Sequence, residues 1–161
     1  NSVILSFGGE HYFEYTTLAN FGNDREALFM TNHFCYDFPA CENWPVNDLK
    51  ANFVNCVISG SNRDELWLSA REEAQANVLF DHCLIKIDEL LEPDNYPNFM
   101  SDFTTSSINW PRTDSLFSDF RLDTLSKAEG LAIPLGTVTT DIENNMRDFS
   151  RPDAGCYEYQ Y

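Results

Sequence analysis

Two stretches of the chain repeat each other. "ANFVNCVISGS" and "NVLFDHCLIKID" superimpose with Phe53 on Phe80, Cys56 on Cys83, Val57 on Leu84 and Ile58 on Ile85, each pair 27 residues apart. Self-similarity at a period of about 20–50 residues marks arrays in which each repeat buries its apolar side only against its neighbours. Written in Phe, Val, Ile and Cys with no helical stripe, this is a repeat of strands. Two further segments fit the template more loosely: Phe13, Thr16, Thr17 and Leu18 in "FEYTTL", and Asn1, Ser2, Val3 and Ile4 at the start. Ser2 and Thr16 are too close for one full coil of stacked strands, which places them in different sheets of the same coil.

Strand geometry then assigns directions. With Phe53 pointing inward and Asn55 at a sharp bend that needs a left-handed backbone, the alternation restarts and Cys56 and Ile58 also point inward. The next coil places Phe80, Cys83, Ile85 and Ile87 inside, His82 at the bend and Lys86 outside in water. Cys56 and Cys83 read as small core residues, because parallel side-chain vectors on neighbouring strands disfavour a disulfide.

The rest of the chain is consistent with a β-dominated domain. Short runs rich in Val, Ile, Phe, Thr and Tyr lie between Asn, Gly, Asp and Ser clusters: "NSVILSF", "HYFEYTTLANF", "ALFMTN", "ELWLS" and "AIPLGTVTTDI". "SAREEAQAN" has helix formers but no apolar stripe, which suits an exposed turn. The length of 161 residues fits one domain, residues 1–161, and 43% apolar content is enough for a core. The formal net charge of −16, from 26 carboxylates against 10 Lys and Arg, repels phosphate backbones and argues against a nucleic-acid partner. No run approaches the roughly eighteen apolar residues of a membrane helix. "NSVILSF" opens inside a strand, which points to further coils upstream.

These residues resemble a known family. The FxxC-type repeats, followed by "DSLFSDFRLDTLSKAEG" and closed by "TDIENNMRDFSRPDAGCYEYQ", look like the C-terminal portion of right-handed parallel β-helix surface proteins of Bacteroidetes, of the choice-of-anchor, pectate-lyase-like kind. That family typically ends with an Asp-x-x-Gly-Asn-x-Arg stretch and a Pro-Asp-x-Gly-Ala-Tyr-Glu closure. Here the matching positions are Asp141, Asn144, Asn145 and Arg147, then Pro152, Asp153, Gly155, Cys156, Tyr157 and Glu158. Asn144 stands where Gly is usual, which a left-handed turn tolerates, and Cys156 stands where Ala is usual, implying a small buried site. The resemblance implies an all-β fold: a fragment of a right-handed parallel β-helix solenoid, with long loops, a loop insertion at 32–50 and a terminal closure at 114–161. It also implies an exported protein at the cell surface, associated with the outer membrane.

A solenoid must close its last coil, because an open strand edge invites pairing with other chains. "PDAGCYEYQY" is therefore expected to be a terminal capping strand: Pro152 halts one element, Gly155 permits close backbone approach, and Tyr157, Tyr159 and Tyr161 alternate. An aromatic binding patch is the alternative.

The insertion "HFCYDFPACENWPVNDL" carries the functional candidates. Cys35 and Cys41 flank "YDFPA" and could close a small disulfide loop in an oxidising compartment, the alternative being two free thiols. Phe34, Tyr36, Phe38 and Trp44 fall within eleven residues. On a loop stiffened by two prolines they either present faces to sugar rings or partner proteins, or fold back over the body.

Catalytic signals are thin. His11, His33 and His82 are scattered, without a nucleophile-elbow signature. Asp88 and Glu89, or Glu92 and Asp94, could supply a glycosidase pair or a calcium site, but 26 acidic residues make chance neighbours common. Only Lys50, Lys86, Lys127 and seven arginines are available to handle an acidic polysaccharide, which argues against an anionic-glycan lyase. No catalytic residue, metal ligand or cofactor site is assigned, and no Cys/His zinc spacing occurs. The reading is a non-catalytic module that is adhesin-like or contacts a glycan or surface protein, and that caps a longer solenoid. A carbohydrate-active enzyme with its catalytic coils upstream is the alternative.

Overall fold

The computed structural model describes residues 2–22, 24–88, 102–105, 108, 110 and 119–160. Within them the chain is all-β, with no helix and with strands paired in parallel. One sheet orders β1 (Val3–Leu5), β4 (Leu28–Thr31) and β7 (Leu66–Ser69). The other contains β2 (Gly9–Glu14), β3 (Thr17–Asn20), β5 (Leu49–Val54), β6 (Val57–Gly60), β8 (Ala76–Ile85) and β9 (Asp102–Thr105), in the order β2-β5-β8-β6-β3 with β9 also on β8. Ser2 and Thr16 accordingly border strands of different sheets.

The larger sheet curls because its strands turn at one level. Tyr15, Asn55 and His82 have φ of +46°, +57° and +50°, each two residues past a Phe. Asn readily takes this left-handed conformation; a bulky Tyr takes it only where the surroundings hold it. The parallel register aligns Phe13, Phe53 and Phe80 in one column. Their rings stack at 4.8 and 5.0 Å between centroids. Below the bend, Leu18, Ile58 and Ile85 form the next column, and all three are buried. Across the core, Val3, Leu28 and Leu66 face them from the smaller sheet. The inward set expected from the alternation, Phe53, Cys56, Ile58, Phe80, Cys83, Ile85 and Ile87, is buried throughout. Cys56 N–H donates to Cys83 Sγ at 3.3 Å, and both thiols are free.

The curled sheet is also covered outside. Val57 and Leu84, outward by alternation, are 0% and 1% exposed. With Tyr15 they meet Leu122, Ala128, Ala132 and Ala154 of the C-terminal segment in a second apolar core. Burial of both faces explains why Val57–Ile58 and Leu84–Ile85 are apolar at consecutive positions instead of alternating. Lys86, expected in water, is half-buried and donates Nζ–H to Gly60 O at 2.6 Å.

The terminal closure differs from the expected capping strand. Among residues 119–160 no strand forms, and "AIPLGTVTTDI" and "AGCYEY" are both irregular. The physical reason lies in where the backbone donors of the last segment go. Gly155 N–H donates to Asn55 O at 2.8 Å, Cys156 to Thr17 Oγ1 at 3.0 Å, Glu158 to Asp141 Oδ2 at 3.0 Å and Tyr159 to Asp153 Oδ2 at 2.7 Å. Four donors satisfied by four separate partners leave no ladder to form. Gly155 is required: at φ +92° a Cβ would lie 2.6 Å from Thr17 Oγ1 and 3.0 Å from Val57 Cγ2. Cys156, expected to be buried, is half-exposed beside it, and Asn144 takes φ +65°.

A buried ion pair locks this closure. Arg147, 4% exposed, donates Nη1–H to Asp153 O at 3.2 Å and Glu158 Oε2 at 3.3 Å, and Nη2–H to Gly155 O at 3.0 Å. Its guanidinium lies 3.9 Å from the centre of the Tyr15 ring, so one cation ties the closure to the curl of the sheet. Glu158 also accepts from Asp148 N–H and Asp153 N–H. Truncating either partner would strand a buried charge, at a cost of about 3–5 kcal/mol.

Candidate functional site

The loop between β4 and β5 is built as a short stapled ribbon. His33 and Val46 form an antiparallel bridge, and the ribbon continues as Phe34 N–H donates to Pro45 O at 3.1 Å and Tyr36 N–H to Asn43 O at 3.2 Å. Asp37 closes the tip: its Oδ1 accepts from Asn43 N–H and its Oδ2 from the Asn43 side-chain amide. Those donors, with Asn43 N–H the largest contributor, hold the Asp37 carboxyl below its usual range. Cys35 and Cys41 are joined by a disulfide with their Cα atoms 5.1 Å apart, and Phe38–Pro39 is a cis peptide bond.

The root of the loop is anchored to the body by Asn32, which is fully buried. Its Nδ2 donates to Arg71 O and Ala74 O at 2.8 and 2.9 Å, and its Oδ1 accepts from Arg71 N–H at 2.8 Å. An Asn satisfied on both ends of its amide fixes the ribbon's exit direction.

All four candidate rings are exposed: Phe34 by 53%, Tyr36 by 77%, Phe38 by 84% and Trp44 by 36%. They do not form one patch. In extended backbone Phe34 and Tyr36 share one face of the ribbon, while Trp44 shares the other with His33. The His33 and Trp44 rings meet edge to face at 5.1 Å, and the Arg71 guanidinium lies 5.7 Å from the Trp44 ring centre. Burial, and then the charge of Arg71, lower the His33 pKa. Trp44 thus serves largely as the ribbon's footing, while Phe34, Tyr36 and Phe38 extend from it.

Among the described residues the histidines do not build a triad. His82 Nδ1 lies 2.6 Å from Asp81 Oδ1, His11 Nε2 is 3.0 Å from Gly8 O, and His33 Nδ1 is 3.4 Å from Asn32 Oδ1. Among the described residues none is bonded to a Ser, Thr or Cys side chain, and no three metal-ligating side chains converge. Asp88 is paired with Arg63 at 2.7 Å, whereas Glu89, Glu92 and Asp94 lie outside the described residues. Tyr157 and Tyr159 are half-buried in the closure; Tyr161 lies outside the described residues.

The sequence reading missed one surface. The register puts Ile4, Phe29 and Trp67 in a single outward column across the three-stranded sheet, with Ile4 58% and Trp67 45% exposed. The pairing that unites these residues is long-range, so no local motif announced it. Among the described residues no helix is long and apolar enough to cross a membrane. Compared with protein-family models, with curated proteins and with solved structures, the chain matches none.

Proposed function

We propose that the chain is a right-handed parallel β-helix module, the C-terminal cap of a longer solenoid, carried on the surface of a Bacteroidetes-type cell as a non-catalytic contact element. The stapled loop is its contact surface, and Phe34, Tyr36 and Phe38 meet a glycan or a surface protein. One observation carries this reading: the loop holds three large apolar rings in solvent on a ribbon fixed by a disulfide, an Asp clamp and a fully satisfied buried Asn. Apolar rings held outward at that conformational cost favour a binding role over packing. The stacked Phe column and the closure locked by Arg147 and Glu158 support the solenoid reading and its capped end.

The test is incubation of the purified domain with immobilised neutral and acidic glycans, following both retention and release of fragments. Retention that falls at least about tenfold in Tyr36→Ala or Phe38→Ala, without fragment release, is the expected result. Cleavage would instead support a carbohydrate-active enzyme.

A further inference from the structure

The closure contains a cavity of about 670 Å³, unrelated to the stapled loop, running from Leu125 to Tyr159. Its size is that of ordinary small-ligand sites, about 300–1,000 Å³. Its floor is polar, buried and already satisfied. Asp153 Oδ1 accepts from Gly130 N–H at 2.7 Å and its Oδ2 from Tyr159 N–H, while Glu158 accepts from Asp148 and Asp153 N–H groups. These two carboxylates hold the backbone of the walls rigid, and their oxygens are occupied.

The rim supplies the remaining chemistry. Lys127 and Arg151 are exposed there, two of only ten Lys and Arg in a chain of net charge −16. The guanidinium lies against Gly130, where at φ +60° a Cβ would come 3.2 Å from Arg151 Nη2, so the glycine makes room for that side chain. Two further carboxylates share the lining, Glu129 and Asp148, the latter with Oδ1 engaged by Ser150 N–H and Arg151 N–H. Leu125, 85% exposed, and the Tyr159 ring add an apolar edge.

Two exposed cationic donors beside an apolar edge fit a molecule that has both hydroxyl oxygens and a C–H face. An anion would meet the protein's negative field, and a cation would meet Arg151 and Lys127. We propose that this cavity binds a neutral sugar residue, with Arg151 and Lys127 donating to its hydroxyl oxygens and its C–H face against Leu125 and Tyr159. The site is separate from the contact loop, so it stands whether or not the loop binds anything.

The experiment is run on the Phe34→Ala/Tyr36→Ala/Phe38→Ala triple variant, which removes the loop's three protruding rings. Titration calorimetry and saturation-transfer NMR use the methyl glycosides of glucose, galactose and mannose, with glucuronate as the charged control. At least one neutral glycoside is expected to bind, and Arg151→Ala is expected to weaken it by about tenfold or more with an unchanged melting temperature. If Arg151→Ala lowers the melting temperature, Lys127→Ala provides the same readout. No binding of any neutral glycoside, binding that survives both substitutions, or tighter binding of glucuronate would overturn the proposal.

Discussion

The side-chain amide of Asn55 grips the backbone of Ile133, 78 residues away, from both ends: Nδ2–H donates to Ile133 O at 2.7 Å, and Ile133 N–H donates to Oδ1 at 2.9 Å. The same residue turns the sheet at φ +57° and offers its carbonyl to Gly155 N–H. One position therefore shapes the curl of the sheet and fastens the C-terminal segment to it.

The two roles of Asn55 are separable by substitution. Asn55→Gly keeps the left-handed backbone and removes the clamp, which is expected to cost about 1–3 kcal/mol for the stranded groups of Ile133. Asn55→Ala adds a left-handed alanine and is expected to cost about 1–2 kcal/mol more. Chemical denaturation measures both; equal losses would show that backbone conformation contributes nothing.

Phe53 lies in the middle of the ring column, fully buried between Phe13 and Phe80. Phe53→Ala should destabilise by about 3–5 kcal/mol, and Phe80→Ala by a similar amount. A loss below about 1 kcal/mol in denaturant unfolding would contradict the stacked core.

The legibility of these features follows from how local their causes are. Phe53, Cys56, Phe80 and Cys83 were readable because one spacing repeats identical residue types, and Asn55 and His82 because bends select tolerant residues. Phe13 matched only loosely, since the stapled loop lengthens its distance to Phe53, and Tyr15 is held left-handed by contacts with Arg147 and Ile133 that no local pattern reveals. The closure was recognisable by its Asp, Arg, Gly and Glu residues yet misread as a strand, because its order comes from side-chain acceptors rather than strand alternation. At the loop, the Cys spacing allowed a disulfide and the prolines suggested stiffness, but the antiparallel ribbon and its anchoring through Asn32 are set by contacts distant in sequence.

Three buried carboxyls should contribute to stability with an unusual dependence on pH. Burial is the leading cause that pushes the carboxyls of Glu65, Asp153 and Glu158 above their usual range, so the folded state holds their protons more tightly than the unfolded state. Their contribution is full below the ordinary values of 3.8 for Asp and 4.5 for Glu, and is lost as pH rises through the raised ones. Asp141 acts oppositely. Burial opposes its ionisation, but donors from Glu158, Asn145 and Glu143 outweigh burial and lower it, so its contribution is lost as pH falls below 3.8. The stability of wild type relative to Glu65→Gln should therefore fall as pH rises from 4 to 7, read as the difference between their melting temperatures. A difference that grows in favour of wild type over that range would contradict this.

Thiol counting checks the staple. Unreduced, denatured protein should show three alkylatable thiols, Cys56, Cys83 and Cys156, with Cys35 and Cys41 linked in one peptide. Five alkylated cysteines by mass spectrometry would remove the staple from the account.

The contact role of the loop is tested most directly by glycan and surface-protein arrays probed with the intact domain and with Phe34→Ala, Tyr36→Ala, Phe38→Ala and Trp44→Ala. The account predicts a retained ligand, no release of fragments, losses of about tenfold or more for the protruding Tyr36 and Phe38, and a smaller loss for the footing residue Trp44. Turnover of any glycan by this domain, or retention unchanged by all four substitutions, would contradict it.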